Sequence, residues 1–78
     1  MIPYMNINGD SGVAAYEIRG NTIIVQFKRG TYKFYSYTRE GIGAANFDEM
    51  CALANLGRGL NGFIRSNPAV REGYSQKW

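Results

Sequence analysis

Residues 13–37 alternate between apolar and polar side chains with a period of two, which is the pattern of half-buried strands. The alternation predicts strands over residues 13–19, 22–28 and 31–37. Gly20 and Asn21 separate the first two strands, and Arg29 and Gly30 separate the last two. Two-residue links that contain glycine favour tight hairpins, because glycine adopts positive φ without steric cost. The segment is therefore predicted to form a three-stranded antiparallel meander.

Turns of this length also predict which side chains share a face, because cross-strand partners point to the same side of a sheet. One face then collects Ala14, Tyr16, Ile18, Ile23, Val25, Phe27, Tyr32, Phe34 and Ser36. The other face collects Val13, Ala15, Glu17, Arg19, Ile24, Gln26, Lys28, Lys33, Tyr35 and Tyr37. The first face is the more apolar, so we expect it to be buried and the second to meet solvent.

After Tyr37 the apolar positions follow a helical period instead. Asn46 and Glu49 have the spacing of a capping box that opens a helix. Gly57 is expected to end this helix as a left-handed cap. One apolar face of the helix is formed by Phe47, Met50, Cys51 and Ala54. A second short stripe consists of Leu60, Phe63 and Ile64, and we expect it to stop before Pro68.

The predicted fold is α+β, a three-stranded antiparallel meander followed by two short helices packed on one sheet face. With 78 residues, the chain is expected to be a single domain with a core over residues 10–66. Residues 1–12 are expected to be an irregular lead-in and residues 67–78 a C-terminal tail. Trp78 is expected to dock on the body of the domain or on a partner.

Composition narrows the chemistry that this chain can perform. There is one cysteine and no histidine, which argues against a disulfide, a zinc site and the commonest general base. No apolar run is long enough to cross a membrane, and no secretory leader is visible, so a cytoplasmic location is predicted. Small cores often need additional support, and self-association as a homodimer is therefore an open alternative.

The residues that suggest catalysis each have a simpler structural explanation. Cys51 lies on an apolar helix face and is interpreted as a structural thiol. Asp48 and Glu49 follow the predicted helix start, where the backbone dipole stabilises carboxylates. The Gly-Arg-Gly step at 57–59 lacks the strand and lysine of a phosphate loop, so we interpret it as a turn between helices. No enzymatic activity and no cofactor are predicted.

One set of residues, spread over most of the chain, has the spacing of a known motif: Tyr16, Glu17, 22–27, Gly30, 32–34, Gly57, Asn61, Ile64 and Arg65. In these residues the chain resembles the KTSC domain, a small domain also found at the C-terminus of some lysyl-tRNA synthetases and free-standing in bacteria and phages. Glu17 stands where the family has aspartate, Asn55 where it has serine, and Thr38 where proline is common. The turn before Tyr32 is also one residue shorter. The resemblance implies the predicted fold, no catalytic activity and, by association with a tRNA-handling enzyme, RNA binding.

The second sheet face carries the main candidate surface, because it places Lys28 and Lys33 beside Tyr35 and Tyr37. Cations next to aromatic rings suit single-stranded nucleic acid, in which rings stack on bases and cations neutralise phosphates. The alternative is an ordinary solvated face whose side chains stabilise one another across strands. The full candidate site is Lys28, Arg29, Lys33, Tyr35, Tyr37, Arg58 and Arg65. Arg65 is expected to contact phosphate or to pair with Asp48 or Glu49.

Two functions therefore remain open at this point. The first is a non-catalytic module that binds nucleic acid, either RNA or single strands. The net charge of +3 favours polyanions only slightly. The second is a phage- or bacterium-encoded module that binds a host protein and inhibits a complex by occupying its surface.

Overall fold

The computed structural model describes residues 1–7, 9 and 11–78. Asn8 and Asp10, which belong to the predicted lead-in, lie outside the described residues. The described part of the chain forms an α+β fold with an antiparallel sheet in the order β1-β2-β3-β4-β5. The elements are β1 (Ile2–Pro3), β2 (Val13–Arg19), β3 (Thr22–Phe27), β4 (Phe34–Thr38), α1 (Arg39–Ile42), α2 (Ala44–Leu56), α3 (Leu60–Ser66), α4 (Pro68–Arg71) and β5 (Gln76–Lys77). None of the helices in the described ranges is long and apolar enough to cross a membrane.

The hairpin of β2 and β3 follows the predicted register over most of its length. Ile18 pairs with Ile23 and Tyr16 with Val25, and Gly20 has the positive φ of 56° that the tight turn requires. A register shift between residues 13 and 15 then brings Val13, rather than Ala14, opposite Phe27. The prediction that Val13 faces solvent is wrong, because this bulge turns its side chain into the core, where it is fully buried.

The hairpin of β3 and β4 departs from the prediction by one residue. Residues 28–32 form a five-residue loop, closed by a 2.7 Å hydrogen bond from the Phe27 amide to the Lys33 carbonyl. The longer loop brings Tyr37 opposite Ile23 and Tyr35 opposite Val25. A shift of one residue reverses every side chain of a strand, so the predicted placement of Tyr35 and Tyr37 on the solvent face is wrong. Tyr37 is only 1% exposed and belongs to the core.

The same one-residue shift also changes the predicted positions of Phe34, Lys28 and Lys33. Phe34 pairs with Gln26 and therefore lies on the sheet face opposite the core. Lys28 and Lys33 are exposed residues of the loop and its exit and are not part of any strand. The aromatic and basic surface predicted for the second sheet face does not form there.

The first long helix begins earlier than predicted. It starts after Gly43, whose φ of 91° separates it from α1. Asn46 consequently lies inside α2, where its Nδ2 donates to the Ile42 carbonyl and its Oδ1 accepts from Asn67 Nδ2. The predicted capping box is wrong, and Asp48 and Glu49 are not in the first turn. The predicted apolar stripe is confirmed for Phe47, Met50 and Ala54, which are buried, while Cys51 is half-buried.

The segments around the helices follow local backbone rules. Thr38 caps α1, with its Oγ1 accepting from the Gly41 amide at 2.9 Å. Gly57 ends α2 in the left-handed conformation, which confirms that residues 57–59 form a turn between helices. α3 ends before Pro68, as expected, and the proline opens α4.

Both chain ends contribute more than the sequence indicated. Tyr4 in the lead-in is buried, and its hydroxyl accepts from the Leu60 amide at 3.3 Å. At the other end, the backbone of Trp78 bonds to Phe34 in both directions, and the two rings stack with centroids 5.5 Å apart. Trp78 therefore docks on the body of the domain, and β5 lengthens the sheet beyond the predicted meander.

Candidate functional site

An open cleft of about 980 Å³ lies at the end of the sheet where the β3–β4 loop faces α3 and α4. We call it the basic cleft and define it by three walls. Residues 27–32 form the loop wall, Asn61, Ile64, Arg65 and Arg71 form the helix wall, and Tyr35, Tyr37, Tyr74 and Lys77 form the sheet wall. Gly9, Ser11 and Gly12 complete the rim beside the loop, and Glu72 completes it beside α4.

The described lining residues are dominated by positive charge. Five cations, Lys28, Arg29, Arg65, Arg71 and Lys77, line the basic cleft. Glu72 is the one carboxylate among the described lining residues, and it pairs with Arg71, whose Nε lies 3.1 Å from Glu72 Oε2. Charges of one sign around a concave surface reinforce one another's potential and attract a ligand of the opposite sign. The arrangement is therefore suited to an anionic ligand.

Local backbone structure explains why cations gather on the helix wall. Arg65 lies in the last turn of α3 and Arg71 in the last turn of α4. Cations are favoured at helix C-termini because they complement the unpaired carbonyls there. Arg71 Nη1 donates to the Arg65 carbonyl at 2.8 Å, which ties the two ends together. The alternative in which Arg65 pairs with Asp48 does not hold, because Asp48 Oδ1 instead pairs with Arg39 Nη1 at 2.7 Å.

Aromatic rings form the sheet wall. Tyr35 packs edge-on between Phe27 and Tyr74, with ring centroids 5.4 and 5.2 Å apart. Tyr37 lies behind them, and burial, the largest cause, together with neighbouring Tyr35 and Tyr74 raises its pKa well above the usual range. Tyr32, on the loop wall, is the most exposed of these rings at 44%. The basic cleft thus combines cations at its rim with tyrosines at its base.

Lys77 connects the charged and aromatic components. Its Nζ lies 4.8 Å from the ring centroid of Tyr32 and 5.0 Å from that of Tyr74, within cation–π range. A hydrogen bond to Tyr74, the largest cause, and the nearby tyrosines raise the pKa of Lys77. The ammonium therefore lies beside two rings that it partly covers.

Five of the seven predicted site residues meet at this cleft, although not on the predicted surface. Lys28, Arg29, Tyr35, Tyr37 and Arg65 line it, whereas Lys33 and Arg58 do not appear in its lining. Tyr37 is too deeply buried to be a contact residue, so its predicted binding role is replaced by a structural one.

The prediction missed further residues, which are Tyr32, Asn61, Arg71, Tyr74 and Lys77. Tyr32 was assigned to the core face by the wrong register. The other four reach the cleft through the packing of α3, α4 and β5, for which the alternation pattern carries no signal.

The cysteine and the carboxylates, which could indicate catalysis, do not form a reactive group in the part of the chain that the structure describes. Cys51 is half-buried, and its pKa is raised by burial first and by Asp48 second, against an opposing effect of Arg39. A raised thiol pKa reduces the fraction of nucleophilic thiolate at neutral pH. Among the residues that the structure describes, no three Cys, Asp or Glu side chains lie together as a potential metal site.

Comparisons with known proteins add no further constraint on the site. No family model, curated protein or solved structure matches this chain.

Proposed function

We propose that this protein is a non-catalytic cytoplasmic module that binds single-stranded nucleic acid, RNA or DNA, in the basic cleft. The observation that carries the proposal is the set of five cations around one cleft whose base is built of tyrosines. Phosphates and bases are the two parts of a nucleic acid, and this surface offers a partner for each. Cations neutralise phosphates, and tyrosine rings accept the faces of unpaired bases.

The aromatic lining of the site favours a single strand over a duplex. Arg65 and Arg71 on the helix wall and Lys28 and Arg29 on the loop wall line the same cleft as the tyrosines. In a duplex the base faces are already stacked on one another, so they are not free to stack on these rings. A flexible strand is able to place its phosphates at the rim and its bases on the rings.

Membership of the KTSC family is part of the same proposal. Several residues that carry the resemblance lie at the basic cleft, namely Phe27, Gly30, Tyr32, Asn61, Ile64 and Arg65. If the chain belongs to the family, these positions are expected to form a ligand site rather than only a packing motif. An experimental structure of a KTSC domain tests this, since its equivalent asparagine and arginine should meet at a similar cleft.

A second candidate function is supported by a different surface. Met5, Ile7 and Leu56 are 70%, 55% and 47% exposed and lie around Gly57, whose carbonyl accepts from the Ile7 amide at 2.8 Å. An exposed apolar cluster of this kind suits a protein partner. It supports the alternative in which a phage- or bacterium-encoded module inhibits a host complex, or in which two copies form a homodimer.

The decisive experiment is fluorescence anisotropy of labelled single-stranded RNA, single-stranded DNA and duplex DNA at two salt concentrations. We compare the parent with Arg29→Ala/Arg65→Ala, which removes one cation from the loop wall and one from the helix wall. The matched control is Lys33→Ala/Arg58→Ala, which removes the same charge outside the cleft lining. We expect the cleft variant to weaken single-strand binding by about tenfold and to reduce the log–log salt slope by about 1.4, or 0.7 for each lost phosphate contact.

The control is expected to lose less affinity, through long-range charge alone. Equal losses in the two variants would show that binding follows net charge and not the cleft. Absence of binding by the parent at low salt would remove nucleic acid as the ligand, and the apolar cluster around Gly57 would then become the surface to test.

A further inference from the structure

Lys77 lies over two tyrosine rings of the basic cleft. Its Nζ is 4.8 Å from the ring centroid of Tyr32 and 5.0 Å from that of Tyr74. Tyr37 is buried, and the half-buried Tyr35 packs at right angles against Phe27 and Tyr74. A planar group that stacks on Tyr32 or Tyr74 must therefore compete with this lysine.

The Lys77 side chain is able to move off the two rings while the backbone of β5 stays in place. Trp78 stacks on Phe34, and its backbone bonds to Phe34 in both directions. Before it, the Ser75 amide donates to the Ser36 carbonyl at 2.7 Å, and the two serine hydroxyls lie 2.6 Å apart. Lys77 itself is exposed. The backbone of β5 is thus anchored on both sides of a residue whose side chain is free to turn.

We propose that Lys77 is an exchangeable cover over a base-stacking site formed by Tyr32 and Tyr74. This inference rests on the proposed function and names the part of the ligand that the rings recognise. An unpaired base displaces the ammonium from the rings, because stacking of a base is a stronger contact than an exposed cation–π pair. The released ammonium then contacts a phosphate of the same strand. The ligand class is a strand that carries bases, as opposed to any chain of phosphates.

The test compares two ligands of equal length and charge. One is a single-stranded oligonucleotide of six nucleotides, and the other is the same phosphodiester chain without bases. The measured quantity is the base selectivity, defined as the dissociation constant of the abasic chain divided by that of the oligonucleotide. Anisotropy gives both constants for the parent, Lys77→Ala, Lys77→Arg and a control, Lys33→Ala.

Removal of the Lys77 ammonium should weaken binding of the abasic chain, because one cation is lost. The oligonucleotide should gain access to the uncovered rings of Tyr32 and Tyr74. We therefore expect Lys77→Ala to raise the base selectivity by about threefold or more. Lys77→Arg keeps the charge and covers the rings more strongly, so it should lower the selectivity. Lys33→Ala removes a cation outside the cleft lining and should leave the selectivity unchanged.

The emission spectrum of Trp78 reports whether Lys77→Ala disturbs β5. A second variant tests the stacking site without a substitution in β5. Tyr32→Leu removes one ring and should bring the base selectivity down towards one. If Lys77→Ala leaves the base selectivity unchanged or lowers it, while its Trp78 emission matches that of the parent, the role of Lys77 as a cover is overturned. The stacking site itself is not contradicted by that result. An unchanged selectivity in Tyr32→Leu overturns the stacking site. A parent that binds neither ligand overturns the proposed function and this inference together.

Discussion

The two faces of the central sheet are built from neighbouring residues but have different environments. On the covered face, Tyr16, Ile23, Val25 and Tyr37 are at most 5% exposed under the helices. On the uncovered face, Ile24, Gln26 and Phe34 are half-buried, and Trp78 is 49% exposed. Hydrophobic character alone does not separate the two sets, since each contains aromatic and branched side chains. The strand register separates them.

The contrast between the two hairpins shows where register comes from. Gly20 and Asn21 leave little choice of turn geometry, and the β2–β3 pairing next to them was predicted correctly. Arg29 and Gly30 were expected to do the same, but the loop closes between Phe27 and Lys33 instead. The longer loop allows Tyr37 to enter the core and leaves Phe34 to stack on Trp78. The observed register buries Tyr37 in the core and leaves Phe34 on the opposite sheet face.

The largest expected effect tests the register directly through two aromatic residues of β4. Tyr37→Ala should lower the free energy of unfolding by about 3–5 kcal/mol, because it leaves a large cavity in the core. Phe34→Ala should cost less than half of that, because Phe34 is half-buried and its partner Trp78 is exposed. Urea denaturation followed by far-UV circular dichroism measures both. The register with Phe34 in the core and Tyr37 in solvent predicts the opposite order, so a larger loss for Phe34→Ala would contradict this structure.

A smaller effect is expected where the chain passes from α4 into the strand beside the cleft. A side chain at Gly73 would overlap the carbonyl oxygen of Ala69 and would lie 2.9 Å from Ile42 Cγ2. Gly73→Ala should therefore lower the free energy of unfolding by about 1–3 kcal/mol. The thermal midpoint of unfolding measures the change.

Gly62 provides the matched control for this substitution. A Cβ at Gly62, inside α3, meets no other atom within 4 Å. Gly62→Ala should be neutral or stabilise the domain by up to about 1 kcal/mol, because it removes unfolded-state entropy. A loss of stability in both variants would mean that close packing at Gly73 is not the cause.

The smallest effect on stability is expected at alkaline pH, and it tests the burial of Tyr37. Burial raises the pKa of Tyr37, so the folded state keeps its proton at a pH where the unfolded state loses it. This contribution to stability is complete below the unfolded pKa of about 10 and declines as the pH rises above it. Tyr37→Phe should therefore flatten the alkaline decline of the denaturation midpoint. Equal slopes in the parent and in Tyr37→Phe would contradict the burial effect.

The candidate site was predicted in part, and its cations and rings were found in different ways. Lys28, Arg29 and Arg65 were predicted as site cations, with an ion pair to Asp48 or Glu49 as the alternative for Arg65, and all three line the cleft. Tyr35 was chosen for the wrong face and still reaches the cleft, because the one-residue shift moved it to the covered side at the open end of the sheet. Lys33 and Arg58 carry the same positive charge but do not line the cleft. A count of charged residues does not distinguish them from the cations that do.

Local sequence patterns were sufficient for the α+β class, the tight turn at Gly20, the apolar stripe of α2 and its end at Gly57. Each of these depends on contacts between residues close together in the chain. The burial of Tyr4, the docking of Trp78 and the pairing of β4 with β5 depend on partners tens of residues away. So does the basic cleft, where the loop after β3 meets α3, α4 and β5. Such contacts are chosen by total burial and hydrogen bonding across the whole domain, and only the tertiary structure decides them.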